Sequence, residues 1–241
     1  MSPKHFLRTV AAAALLATGW SAQAGTMTFN GAYHGAYNTV SVVTPNTNYS
    51  GGSAGGFAVR LDGFSEFGGS FNGAAFEAYC VDVYEYIGTS SNYSLVTAAD
   101  YFTASPEKVG ALGQLIRYVN GSNLFTAVGV DKDQQSTALQ LAIWNIVYDT
   151  DNTLVSGSMR ETATVGYRTT APAFKGADDL LSLSQATRVG PAFDLYVLKS
   201  VNPGGKQDQL IWRQTVPEPA SLALVALALG GAGLASRRRR G

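Results

Sequence analysis

The stretch Gln134-Gln135-Ser136-Thr137-Ala138-Leu139-Gln140-Leu141-Ala142-Ile143-Trp144-Asn145-Ile146-Val147-Tyr148 decides the fold class. It reads as a helix that starts after Asp133, passes through Gln140 and ends at about Tyr148. Its side chains are apolar nearly all round, so the helix is expected to be buried. The segments before and well after it read as β. That order, β then α then β, points to an α+β domain: β-rich, sandwich or barrel-like, with a helical insertion.

Working outward, Ser105 suits an N-cap, Pro106 a first helical position and Glu107 the positive end of a helix dipole. Val109, Leu112, Leu115, Ile116 and Val119 then share one face, and Asn120-Gly121 stops the helix. Residues 26–29, 39–43, 57–61 and 76–87 are rich in β-branched and aromatic side chains and read as strands. Residues 49–56 read as a flexible loop by composition. Beyond Asp149 the pattern is loose until residues 175–186, a third helix. Residues 193–201 and 209–214 read as strands joined by a turn at Asn202-Pro203-Gly204-Gly205. No internal repeat is visible.

The two ends have a different character. Lys4 and Arg8 precede an apolar run at residues 10–20, and Ala22-Gln23-Ala24 supplies the small residues of a signal peptidase site. A run of eleven residues is too short to span a bilayer, which needs about 20. Cleavage is expected between Ala24 and Gly25. At the other end, Val216-Pro217-Glu218-Pro219 precedes an apolar stretch at 220–235, closed by Arg237, Arg238, Arg239 and Arg240. Sixteen helical residues reach about 24 Å, slightly short of a ~30 Å hydrocarbon core, so a C-terminal transmembrane helix with mild bilayer thinning is expected. The arginines should stay cytoplasmic and leave the rest outside.

Pro-Glu-Pro, one apolar helix and a terminal arginine cluster, in that order, resemble the PEP-CTERM sorting signal of Gram-negative bacteria. The resemblance implies processing by an exosortase near Pro217, Glu218 and Pro219. It also implies anchoring in the inner membrane during transit, then release to the cell surface or secreted matrix. The expected organisation is a signal peptide at 1–24, one domain at 25–215 and a sorting signal at 216–241.

Net charge is zero only because the ends are basic. Removing their six basic residues leaves 11 against the 17 acidic residues between Asp62 and Glu218, a balance of −6. That argues against nucleic acid as a partner. His34 would be the single histidine of the mature chain, which excludes a His-rich zinc site and leaves one residue for any Ser-His-Asp triad. It reads as a loop residue. Asp131-x-Asp133 and Asp149-x-Asp151-Asn152 lack the glycine and late glutamate of calcium loops and read as solvated turns. No metal or cofactor is implied. Paired carboxylates for glycan hydrolysis leave no fixed spacing, and nothing in the sequence raises that reading.

Cys80 is the chain's one cysteine. Exported proteins use cysteines mostly in pairs, so a lone one calls for a reason. Tyr79-Cys80-Val81-Asp82 on a strand and Gln140-Leu141-Ala142-Ile143-Trp144 on a helix together resemble the internal-thioester domains of bacterial surface adhesins. In that family Thr often stands where this chain has Leu139. The resemblance implies that Cys80 is the thioester cysteine and Gln140 the acyl donor. Trp144 and Tyr148, at i+4 and i+8 from Gln140, share its face and would form an apolar cover. Asp82, at i+2 from Cys80, would share its strand face and steer a proton, although a carboxylate there raises the thiol pKa.

Two other readings stand beside this one. A single buried cysteine also serves as a small hydrophobe, and the apolar residues around Gln140 would pack a core without any reaction. The expected function is non-enzymatic: covalent attachment to an amine-bearing surface protein or polysaccharide. The alternative is a non-reactive structural matrix protein or a glycan-binding module, sorted in the same way.

Overall fold

The computed structural model describes residues 24–34, 38–46, 48–87, 90–122, 124–126, 131–161, 172–186, 192–201 and 205–215. The expected sorting tail and all of the signal peptide except Ala24 lie outside them, as does most of the turn expected at 202–205. In chain order the strands are β1 Gly25–Ala32, β2 Asn38–Val43, β3 Asn48–Ala54, β4 Phe57–Asp62, β5 Ala75–Cys80 and β6 Ser90–Thr97. The helices α1 Ala98–Tyr101, α2 Pro106–Gly121 and α3 Lys132–Tyr148 follow, then the short β7 Arg160–Glu161 and α4 Pro172–Ala186. β8 Phe193–Ser200 and β9 Gln209–Gln214 complete the described elements.

Six strands close into an antiparallel barrel in the order β1-β4-β5-β9-β8-β6, with β6 pairing back onto β1. Closure leaves this sheet without a free edge. Of the two expected β architectures, the barrel is the one observed. β3, β2 and β7 form a separate small sheet, and the four α-helices among the described residues lie between β6 and β8 as an insertion. Alternation places Met27, Val59 and Leu61 in one continuous core with the helices.

α3 is the central piece. Its N-cap Asp131 accepts hydrogen bonds from the backbone N–H groups of Asp133 and Gln134, each at 3.1 Å. Every residue from 136 to 147 is buried. The helix packs on α2 and α4 on one side and on β5, β2 and β3 on the other, which accounts for its all-round apolar surface. Pro106 does open α2, but the Ser105 side chain makes no capping bond.

Two expectations are corrected. Residues 49–54 are a strand and only 55 and 56 of the expected loop lie outside one, because β3 pairs with β2 from Asn48↔Val43 to Ala54↔Asn38. Ladder hydrogen bonds are made by the main chain, so a Gly/Ser-rich segment can hold them. The strand expected over 76–87 stops at Cys80, where pairing with β9 ends at Cys80↔Gln209. Asp82 then bends the chain by accepting the Tyr84 N–H at 2.8 Å. β6, polar in its first half, was not foreseen as a strand.

No helix among the described residues is long and apolar enough to cross a membrane, and the stretch 220–235 is not among them.

Candidate functional site

β5 carries Cys80 as its last residue, and α3 carries Gln140 in the middle of its buried length. Both are enclosed, with Gln140 0% and Cys80 2% exposed. The Gln140 carboxamide lies on the main chain of Cys80. The Cys80 N–H donates to Gln140 Oε1 at 2.9 Å, and Gln140 Nε2 donates to the Cys80 carbonyl oxygen at 2.8 Å. These two bonds fix which end of the amide is which. The structure thus brings together two residues that stand 60 positions apart.

The Cys80 side chain is a free thiol. Burial pushes it above the ordinary thiol range, a hydrogen bond from Gln209 opposes that shift, and the nearby Asp82 carboxylate adds to it. The thiol donates to Gln207 Oε1 at 2.8 Å, and Gln209 Nε2 donates to the sulfur at 3.3 Å. Sequence reading did not single out either glutamine. They stand at i and i+2 leading into β9, and that spacing for one strand face was the available signal.

Tyr148 ends α3 over the turn that follows Cys80. Its hydroxyl accepts the Val83 N–H at 3.1 Å and lies 3.4 Å from Asp82 Oδ1, and its ring meets Tyr84 edge-on at 5.3 Å. Tyr148 therefore meets the turn at Asp82–Tyr84 with polar bonds as well as with its ring. Trp144 is buried one helical turn beyond Gln140. Asp82 lies past the end of β5, so it does not share a strand face with Cys80, and its carboxylate is held by Tyr84 and Tyr148.

His34 is more tightly held than a loop residue needs to be. Its Nε2 lies 2.6 Å from Glu77 Oε1, and its ring stacks on Phe125 at 3.6 Å. Glu77 also accepts the Tyr79 hydroxyl at 2.7 Å. Among the described residues no group of three or more His, Cys, Asp or Glu side chains is arranged to hold a metal ion. A cleft of about 420 Å³ lined by Glu107, Lys108, Gln114 and Asp149, among others, includes neither Cys80 nor Gln140.

The thiol meets the carboxamides of Gln207 and Gln209, and a third carboxamide, that of Gln140, is docked on the cysteine's own main chain. The Cys80 N–H on Gln140 Oε1 polarises that carbonyl and stands where an oxyanion would develop on attack.

No curated protein matches this chain. Among solved structures, the chain is similar to the N-terminal thioester domain of a surface protein from Clostridium perfringens, determined as a cysteine-to-alanine mutant. The two share 12% identity, the similarity covers 73% of this chain and 99% of that one, and the TM-score is 0.46. The family model of the PEP-CTERM protein-sorting motif matches residues 215–240, which include Pro217, Glu218, Pro219 and the four terminal arginines. The chain carries a PEP-CTERM protein-sorting motif, which implies export, a membrane-anchored C-terminal sorting step and processing by an exosortase.

Proposed function

We propose that the exported domain joins Cys80 Sγ to Gln140 Cδ as an internal thioester and uses it to attach covalently to an amine-bearing partner. The site of action is the cell surface or secreted matrix of a Gram-negative bacterium, reached by way of the sorting motif. The observation that carries the reading is the doubly hydrogen-bonded docking of the Gln140 carboxamide on the Cys80 main chain. In the forming step the Sγ–Cδ bond forms and the Cδ–Nε2 bond breaks. The thiol proton departs with the nitrogen as ammonia.

An amide is a poor electrophile and a buried thiol a reluctant nucleophile, so contact in a rigid site must supply the rate. A strand end and a buried helix provide that rigidity. Enclosure keeps water from the bond once it is made. In the second step an amine nitrogen bonds to Cδ, the Cδ–Sγ bond breaks, and one amine proton passes to sulfur. Gln140 is then amide-linked to the target and Cys80 is again a thiol.

The complete burial of Gln140 favours a second reading, a bond that only braces the fold. Linking residues 60 apart would add roughly 4 kcal/mol in the chain-entropy view of cross-links. Intact mass of freshly made mature protein tests the bond. It should be lighter than its sequence mass by one ammonia, and Cys80→Ala and Gln140→Ala should each restore the full mass. Methylamine then separates the readings, because a reactive bond takes it up at Gln140 and releases one titratable thiol. An intact Gln140 beside a free Cys80 in fresh protein would falsify the thioester.

A further inference from the structure

Gln207 and Gln209 spend buried hydrogen bonds on a sulfur atom. Gln209 is 0% and Gln207 5% exposed. A thiol is a weak partner for an amide, and apolar side chains of the same size would fill the barrel at lower desolvation cost. Both carboxamides are nonetheless held in definite orientations. Gln207 Nε2 donates to the Asp82 carbonyl oxygen at 2.9 Å, which leaves only Oε1 to face the thiol. Gln209 Nε2 donates to the Gln207 carbonyl oxygen at 3.2 Å, which turns its N–H end to the sulfur at 3.3 Å, with Oε1 farther off at 3.6 Å. The Tyr93 hydroxyl secures that same Gln207 carbonyl at 3.1 Å. The main chain sets the position of Gln209, which is the ladder partner of Cys80 between β5 and β9.

We propose that Gln207 and Gln209 handle the Cys80 sulfur during thioester chemistry, Gln207 by orienting the S–H and Gln209 by stabilising negative charge on sulfur. These roles presuppose the Cys80–Gln140 thioester. The Gln209 N–H acts twice: when sulfur attacks Gln140 Cδ, and when it leaves as an amine takes its place. Gln207 Oε1 accepts the S–H hydrogen bond but is too weak a base to keep the proton, which departs with ammonia. The direction agrees with the electrostatics of the site, where burial and Asp82 raise the thiol pKa and the Gln209 bond lowers it. A purely space-filling pair would have no such directional bonds to sulfur.

The test uses Gln209→Leu, Gln209→Met and Gln207→Leu in the mature protein, with thermal unfolding as the fold control. The fraction lacking one ammonia is followed by intact mass after cell-free synthesis, and methylamine uptake is timed on the bonded protein. Loss of the Gln209 donor should slow both steps about tenfold or more, by analogy with removing one donor from an oxyanion site. Gln207→Leu should slow bond formation more than methylamine uptake, because the bonded protein starts with no S–H to orient. In a Gln140→Ala background, where the thiol stays free, Gln209→Leu should move the pH midpoint of Cys80 alkylation upward. A merely structural residue would not move that midpoint. Should Gln209→Leu fail to fold, Gln209→Met, which keeps the length and removes the N–H, carries the measurement. Folded Gln209 variants with wild-type rates and an unchanged midpoint overturn the proposal while leaving the thioester standing. A wild type with intact Gln140 and no mass deficit overturns both.

Discussion

The main chain of Cys80 grips the side chain of Gln140 at both ends, N–H to Oε1 at 2.9 Å and carbonyl oxygen to Nε2 at 2.8 Å. One donor meets one acceptor in each direction, which a carboxamide satisfies and a carboxylate does not. Gln140→Glu keeps the shape but sets an oxygen against the Cys80 carbonyl oxygen. The expected result is full sequence mass, with no ammonia lost and a thiol that titrates on unfolding. Stability should fall by roughly 1–3 kcal/mol, the cost of leaving a buried polar group unpaired. Denaturant unfolding and intact mass check both halves, and a variant as stable as wild type would count against the clamp.

Gly56 fixes how closely α3 approaches β5. Its N–H donates to Ser136 Oγ at 2.7 Å, and a Cβ at this position would lie 2.7 Å from the Tyr79 ring. Tyr79 has little room to retreat, since it is buried and stacks on Trp212 at a centroid distance of 5.9 Å. Gly56→Ala should therefore destabilise by about 1–3 kcal/mol through overpacking. Because Tyr79 precedes Cys80 and Ser136 lies one turn before Gln140, the ammonia-deficient fraction should fall as well. Thermal unfolding together with intact mass reads the two effects, and an unchanged midpoint would refute the close approach.

Asp149 organises the turn after α3. Its carboxylate accepts from the Thr150 N–H at 2.7 Å, from the Met159 N–H at 2.9 Å and from the Ser158 N–H. Burial pushes its pKa up, but these backbone donors outweigh burial and hold it below the ordinary aspartate value. A depressed carboxyl contributes stability above its unfolded pKa of about 3.9 and loses it as pH falls through the lower folded value. Asp149→Asn should thus melt below wild type at neutral pH, and the gap should close in strong acid. A gap that stays constant across that range would contradict the assignment.

The sorting motif predicts a defect in cells. Replacing Arg237, Arg238, Arg239 and Arg240 with glutamine removes the basic cluster of the sorting motif. The expected outcome is an unprocessed chain, longer by the tail and reduced at the surface, read by mass and by cell fractionation. Normal processing of that variant would mean that the arginines are dispensable for sorting.

The sequence by itself determined the elements whose signals are local. α3 was legible from its all-round apolar surface, and α2 from one apolar face and Pro106, because a helix closes its hydrogen bonds within four residues. β8 and β9 were legible from their own runs of β-branched and aromatic residues, and Cys80 and Gln140 each sit in a recognisable short segment. Whatever depends on distant partners was decided by the tertiary structure. β3 exists through β2, the barrel closes because β6 returns to β1, and β5 stops where β9 stops pairing. Gln207 and Gln209 reach the Cys80 sulfur across separations of 127 and 129 residues, a proximity that no local pattern encodes. His34 meets Glu77 in the same way, across 43 residues. Strand pairing is a contract between main chains far apart in sequence, so which side chains it brings to one atom is known only once the barrel is closed.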